Sequence, residues 1–211
     1  MSGLGDLVGG ERPARLILGV VSARVTANND PDGLGRVRLK YPWLDDQLES
    51  GWARLAVPMA GGERGLHLLP EVDDEVLVAF AQGDPNAPYV IGALWNSAAK
   101  PPETNTDGKN DRRTLKSRSG HVVRLVDTDG EERIEIADKS GTQRIVLDTA
   151  TRSVTIEADG DLAITSANGK LTLKGATVEI AADGQLTAKG AQSELRASGP
   201  LKVKGATVDI N

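Results

Sequence analysis

From Gly169 onward the chain repeats itself every 15 residues: Gly169–Asp183 (GKLTLKGATVEIAAD), Gly184–Ser198 (GQLTAKGAQSELRAS) and Gly199–Asn211 (GPLKVKGATVDIN) align on glycine, leucine and the dipeptide Gly-Ala. A unit this short cannot bury a hydrophobic face alone, so the repeat constrains the fold more than local propensity does. The period also halves. Apolar i, i+2 pairs recur at Ile134/Ile136, Ile145/Leu147, Val154/Ile156, Leu162/Ile164, Leu171/Leu173, Val178/Ile180, Leu201/Val203 and Val208/Ile210, and from Val154 on most start seven to nine residues apart. Residues i and i+2 of a strand share a face, so each unit reads as a strand of about five residues plus a corner of Gly, Ala or Asp. Each strand supplies two inward side chains, and the units must stack. All six aromatics lie before residue 96, which leaves a single-chain sandwich thinly filled. Three chains pooling these residues around one axis fill a narrow prism. Residues 114–211 are therefore expected to form an intertwined trimeric β-helix, a triangular needle with the residues of those eight pairs as its core. About eleven units at ~4.8 Å per layer give it a length on the order of 50 Å.

Ahead of the repeats the chemistry changes. Nine of the ten prolines precede residue 103, and the stretch 97–113 (SAAKPPETNTDGKNDRR) has the polar, Pro/Gly/Asn composition of a linker. Between residues 17 and 96 short strands alternate with turn chemistry. Strands are expected over Leu18–Ala27, Arg36–Tyr41, Trp52–Val57, Glu75–Ala81 and Tyr89–Leu94, with turns at Asn28–Gly33 and Gly83–Asn86. Five short strands suit a small closed barrel, which hides its edges. The fold class is all-β, with an N-terminal extension (1–16), a barrel (17–96), a linker (97–113) and a needle (114–211).

Composition removes several chemistries. The chain has no cysteine, so disulfides, thiolate metal sites and cysteine nucleophiles are excluded. Its longest apolar run, Leu16–Val21, is too short for a bilayer span or a signal-peptide core, and synthesis in the cytoplasm is expected. His67 and His121 are too far apart for a local metal motif, and Asp127/Asp129/Gly130 and Asp159–Asp161 lack the full spacing of a calcium loop. Asp73/Asp74 and Glu131/Glu132 are adjacent, which in a strand sends them to opposite faces and spoils an acid/base pair. Gly61–Gly65 lacks the lysine and helix of a phosphate loop. No nucleophile, base and orienting group can be named, no cofactor or metal site is read, and an enzyme is not expected. Arg36, Arg38 and Lys40 with Tyr41 and Trp43 carry the runner-up reading, a barrel that binds single-stranded nucleic acid or carbohydrate on a trimerising stalk. Against nucleic acid stand a net charge of −5 and, in the first 100 residues, 9 basic against 13 acidic side chains.

The stretches LGRVRLKYPWL, GWARLAVPMAG and LHLLPEVDDEVLVAFAQGDPNAPYVIGALWN resemble the OB-fold domain of contractile-injection spike proteins, the phage baseplate assembly protein V and VgrG family. The later SRSGHVVRLVDTDGEERIEIADKSGTQRIVLD is similar to the start of that family's trimeric β-helix. The resemblance implies a homotrimer that forms the central structural spike of a phage-tail-like apparatus, mounted on a hub at the end of the tube and piercing the target envelope. It further implies that the hub and any wall-degrading enzyme are separate chains, since about 16 residues precede the barrel. A PAAR-repeat tip protein is expected to cap the needle at Val208, Asp209, Ile210 and Asn211.

Overall fold

The computed structural model describes residues 16–209. Apart from a 3-10 turn at Ala81–Gly83, their regular structure is all β. Residues through Asp159 form one compact unit, and those from Gly160 on form a second.

The first part of unit one is built from β1 (Val20–Ala27), β2 (Arg38–Tyr41), β3 (Asp45–Glu49), β4 (Arg54–Leu55), β5 (Ala60–Gly61), β6 (Arg64–Gly65), β7 (Glu75–Phe80) and β8 (Pro88–Leu94). Period-2 patterning forms these strands. In β7, Val76, Val78 and Phe80 are buried while Glu75, Leu77 and Ala79 are half-buried; in β2, Leu39 and Tyr41 point in between Arg38 and Lys40. The sheet order is β3-β2-β1-β7-β8-β4, with β4 parallel to β8. A bridge between Val37 and Ala53, with each N–H donating to the other's carbonyl at 3.0 and 2.8 Å, curls the sheet until β2 meets β4. Strands β1, β2, β4, β8 and β7 thus form a closed ring, consistent with the OB fold that the resemblance implied. Ala23, Val25, Val37, Leu39, Tyr41, Ala53, Val76, Val78, Phe80 and Val90 fill it. Gly83 (φ +82°) is required where the turn before β8 closes, because a Cβ there would meet the Leu18 side chain at 3.3 Å and the Ile17 carbonyl at 3.4 Å.

All five expected barrel strands are present, although the one expected over Trp52–Val57 has a ladder of only two residues, Arg54–Leu55. Two elements carried no periodic signal. Strand β3 (DDQLE) pairs with β2 after a turn in which Leu44 N–H donates to the Tyr41 carbonyl at 2.9 Å, and the β5–β6 hairpin occupies the Gly61–Gly65 loop.

The second part of unit one is a five-stranded meander: β9 (Arg112–Lys116), β10 (Val122–Val126), β11 (Arg133–Ala137), β12 (Arg144–Asp148) and β13 (Ser153–Glu157). Each strand pairs antiparallel with the next. Strand pairing here lies within one chain, whereas the intertwined needle expected from residue 114 pairs strands between chains. The reason is turn chemistry. Gly120 (φ +102°), Gly130 (φ +78°) and Gly141 (φ +78°) supply the left-handed backbone that lets the chain double back. The Asp127–Gly130 stretch is such a turn, closed by Glu131 N–H to the Thr128 carbonyl at 2.9 Å.

In the second unit, residues 160–209 form no strand ladder. Stretches without regular structure alternate with bends near residues 168, 176, 183, 191, 198 and 206, every seven or eight residues, and every side chain is exposed. The corner glycines Gly175, Gly190 and Gly205 each sit so that a Cβ would come within 2.9–3.0 Å of the carbonyl oxygen two residues on.

Candidate assembly surface

The register of the meander sorts its side chains. Leu115, Val123, Ile136, Ile145 and Ile156 are cross-strand neighbours in one row, and Leu125, Ile134, Leu147 and Val154 in the next. Because cross-strand partners and i, i+2 residues share a face, all nine lie on one side of the sheet. They are exposed there, from 38% at Ile145 to 68% at Val154. The central row of the opposite side is Thr114, Arg124, Glu135, Val146 and Thr155. A contiguous apolar face of this size, with a polar reverse, has the character of an interface.

The structure brings Ile134, Ile136, Ile145, Leu147, Val154 and Ile156 together on that face. Sequence reasoning missed Leu115, Val123 and Leu125. Val123 and Leu125 are themselves an apolar i, i+2 pair in the run VVRLV, whereas Leu115 has no such partner in RRTLK; in the folded sheet Val126 is buried on the other side. In the second unit Leu162, Ile164, Leu171, Leu173, Val178, Ile180, Leu201, Val203 and Val208 are exposed, as are Leu186 and Leu195, which the paired pattern passed over because Ala188 and Ser193 stand where other repeats carry apolar residues. Asp209 is exposed. Ile210, assigned to both the needle core and the tip, and Asn211, assigned to the tip, lie outside the described residues, as does most of the extension 1–16.

The basic row of the barrel is largely neutralised. The Asp30 carboxylate accepts two bonds from Arg36, Nε at 2.8 Å and Nη2 at 2.7 Å, and Arg36 Nη2 also donates to Asp32 at 2.6 Å. That guanidinium, aided by the N–H groups of Asp32, Arg36 and Leu34, holds the Asp30 carboxyl well below the usual carboxylate range. Arg38 donates to Glu49 at 2.9 Å and lies over Trp52 at 5.0 Å. Bonds from Thr26 and then Arg38 hold the Glu49 carboxyl down. Two of the three basic side chains of the row, Arg36 and Arg38, are thus already paired. Anisotropy of a labelled single-stranded oligonucleotide is accordingly expected to stay flat at physiological salt; a rise that salt abolishes would restore the binding-module reading.

An open groove of about 980 Å³ runs between the Gly33–Arg36 turn and the β5–β6 hairpin, and its only carboxylate is Glu63. Among the described residues no three His, Cys, Asp or Glu side chains gather as metal ligands, and no helix is long and apolar enough to cross a membrane.

Comparison with known proteins agrees with this geometry. The family profile of the Type VI secretion system/phage-baseplate injector OB domain matches residues 21–95, the span of the closed barrel. The chain is similar to two type VI secretion system spike proteins of Pseudomonas aeruginosa: VgrG4b, 32% identical over 145 residues, and VgrG1a, 27% identical over 135. It is also similar to the spike protein VgrG3 of Vibrio cholerae serotype O1, 28% identical over 120 residues. These matches cover 65%, 58% and 55% of this chain but only 17%, 21% and 11% of the respective relatives. Their names describe spike proteins, components of phage-tail-like secretion machinery. Residues 21–95 thus match the injector OB domain, and the chain is VgrG-like, similar to baseplate spike proteins.

Proposed function

We propose that this chain is the central structural spike of a contractile, phage-tail-like injection apparatus, acting as a homotrimer without catalysis of its own. The observation that carries the reading is the apolar face of β9–β13, nine exposed side chains in two rows with no cover from the rest of the described chain. Burying Val, Ile and Leu gains roughly 1.5–3 kcal/mol each, so three such faces turned inward stabilise one another strongly. Residues 160–209 support the same reading. They expose both apolar side chains and backbone groups with no ladder partner, which a stacked array of three chains satisfies. The barrel end meets a hub, Val208–Asn211 meet a PAAR-repeat tip protein, and the trimer pierces the target envelope under the force of the contracting particle.

Light scattering on the purified protein tests the core of this. Three copies per particle at micromolar concentration are expected. A monomer that keeps its β-sheet signal would overturn the reading.

A further inference from the structure

The stretch between barrel and meander, expected as a polar linker, is tied down along its length. At its start the Asn96 side chain donates to Glu75 at 2.8 Å and accepts from the N–H groups of Ala98 and Ala99 at 2.9 and 2.7 Å. In its middle Asn105 closes a turn, accepting from Gly108 N–H on its carbonyl and from Asn110 N–H on its side chain. At its end the Asp111 carbonyl accepts from Asp127 N–H at 2.8 Å. Between these points Glu103 reaches the polar reverse of the sheet. Its Oε1 accepts from Arg124 Nη2 at 2.6 Å, Arg124 Nε at 2.9 Å and Thr114 Oγ1 at 2.9 Å, and its Oε2 lies 3.5 Å from Arg112. Arg124 also donates to Glu135 at 3.0 Å, and Arg133 donates to the same carboxylate. The carboxylates of Glu103 and Glu135 are 19% exposed and Arg124 is 28% exposed, so these charge-assisted bonds are less screened than surface pairs. A second contact, Arg118 to Glu71 at 3.1 Å, joins the first turn of the meander to the loop before β7.

We propose that residues 97–111 are a strap, latched by Glu103 onto Arg124 and Thr114, that fixes the direction in which each barrel holds its sheet. Its purpose rests on the spike reading: a column under axial load gives way at its softest joint, and a free Pro/Gly/Asn tether at this junction would be that joint. With the latch closed, thrust on the barrel passes to the sheet. Removing the Glu103 carboxylate leaves Arg124 with Glu135 as its carboxylate partner and the strap held by its turns and by the Asn96 and Asp111 bonds at its two ends.

The latch has a pH sign. Burial alone would raise the Glu103 carboxyl, but bonds from Thr114 and Arg124 and the charges of Arg124 and Arg112 outweigh it and hold the group low. A depressed folded value means that the stabilisation is present above the ordinary carboxylate range and lost as pH falls through the folded value. The Glu103 latch is therefore released in acid.

Hydrogen exchange on the whole protein tests the latch in any oligomeric state. In Glu103→Ala, peptides covering 97–111 are expected to exchange about tenfold faster than in the native chain, with β7–β8 and β10–β12 unchanged. Glu103→Gln, which keeps the shape and loses the charge, should fall between them and stands in if the alanine variant fails to fold. The chain has no cysteine, so a single Asn86→Cys spin label reports the distances among three barrels. These should be narrow in the native trimer and broadened in Glu103→Ala. Strap amides exchanging at free-peptide rates in the native protein, or unchanged exchange in both variants, would overturn the proposal. A lack of any interspin distance with native strap protection would count against the trimer and leave the latch standing.

Discussion

Ile145→Asp is expected to leave the protein monomeric at concentrations where the native chain forms three copies. Ile145 sits inside its row, flanked by Ile136 and Ile156 on the neighbouring strands. Losing its burial removes roughly 2–5 kcal/mol per chain, and one trimer loses it three times. In the proposed trimer the carboxylates would also face one another across a dry axis, where desolvation and mutual repulsion both oppose assembly. Because β11–β13 pair within one chain, the monomer should keep the meander's β signal while losing trimer mass, so dissociation is distinguishable from unfolding. Thr155→Lys, on the opposite side of the sheet, is the control and should leave the particle size unchanged. A trimeric Ile145→Asp protein would mean that the apolar face of the meander is not the assembly surface.

The second large effect is at the corners of the repeat. Gly175→Ala places a Cβ 2.9 Å from the Thr177 carbonyl oxygen, closer than real Cβ contacts come. The obstacle is backbone, not a side chain that can rotate away. The corner must open, at about 1–3 kcal/mol per chain, and every chain of the assembly carries the same fault. Limited proteolysis is expected to show rapid cleavage confined to residues after 160, with the barrel and meander still resistant. The other glycine series supplies the comparison. Gly184 and Gly199 recur at the same 15-residue interval but have nothing within 4 Å of the added atom, so Gly184→Ala and Gly199→Ala should leave the digestion pattern native. Equal sensitivity of both series would show that the 15-residue period does not correspond to two distinct corners.

What could be read from the chain itself was local. The alternation of Arg38, Leu39, Lys40 and Tyr41 is visible in the chain, as is that of Glu75–Phe80, where Val76, Val78 and Phe80 are buried, because a strand's faces follow from a period of two whatever it packs against. The glycine spacing placed the corners of residues 160–209 for the same reason, since a turn depends on the residues within it. Tertiary structure decided the pairings. The Val37–Ala53 bridge closes the barrel across 16 residues, and β4 runs parallel to β8 with no pattern that announces it. The Val123/Leu125 pair in VVRLV carries no mark of its neighbours, and the register with β9 and β11 sets Val123 beside Leu115 and Ile136 and Leu125 beside Ile134. The Glu103 latch joins side chains 21 residues apart, and its stretch otherwise reads as a solvated linker. A periodic pattern records which side of a strand prefers water. Which strand lies alongside, and which charge meets which, depends on where the returning chain brings them together.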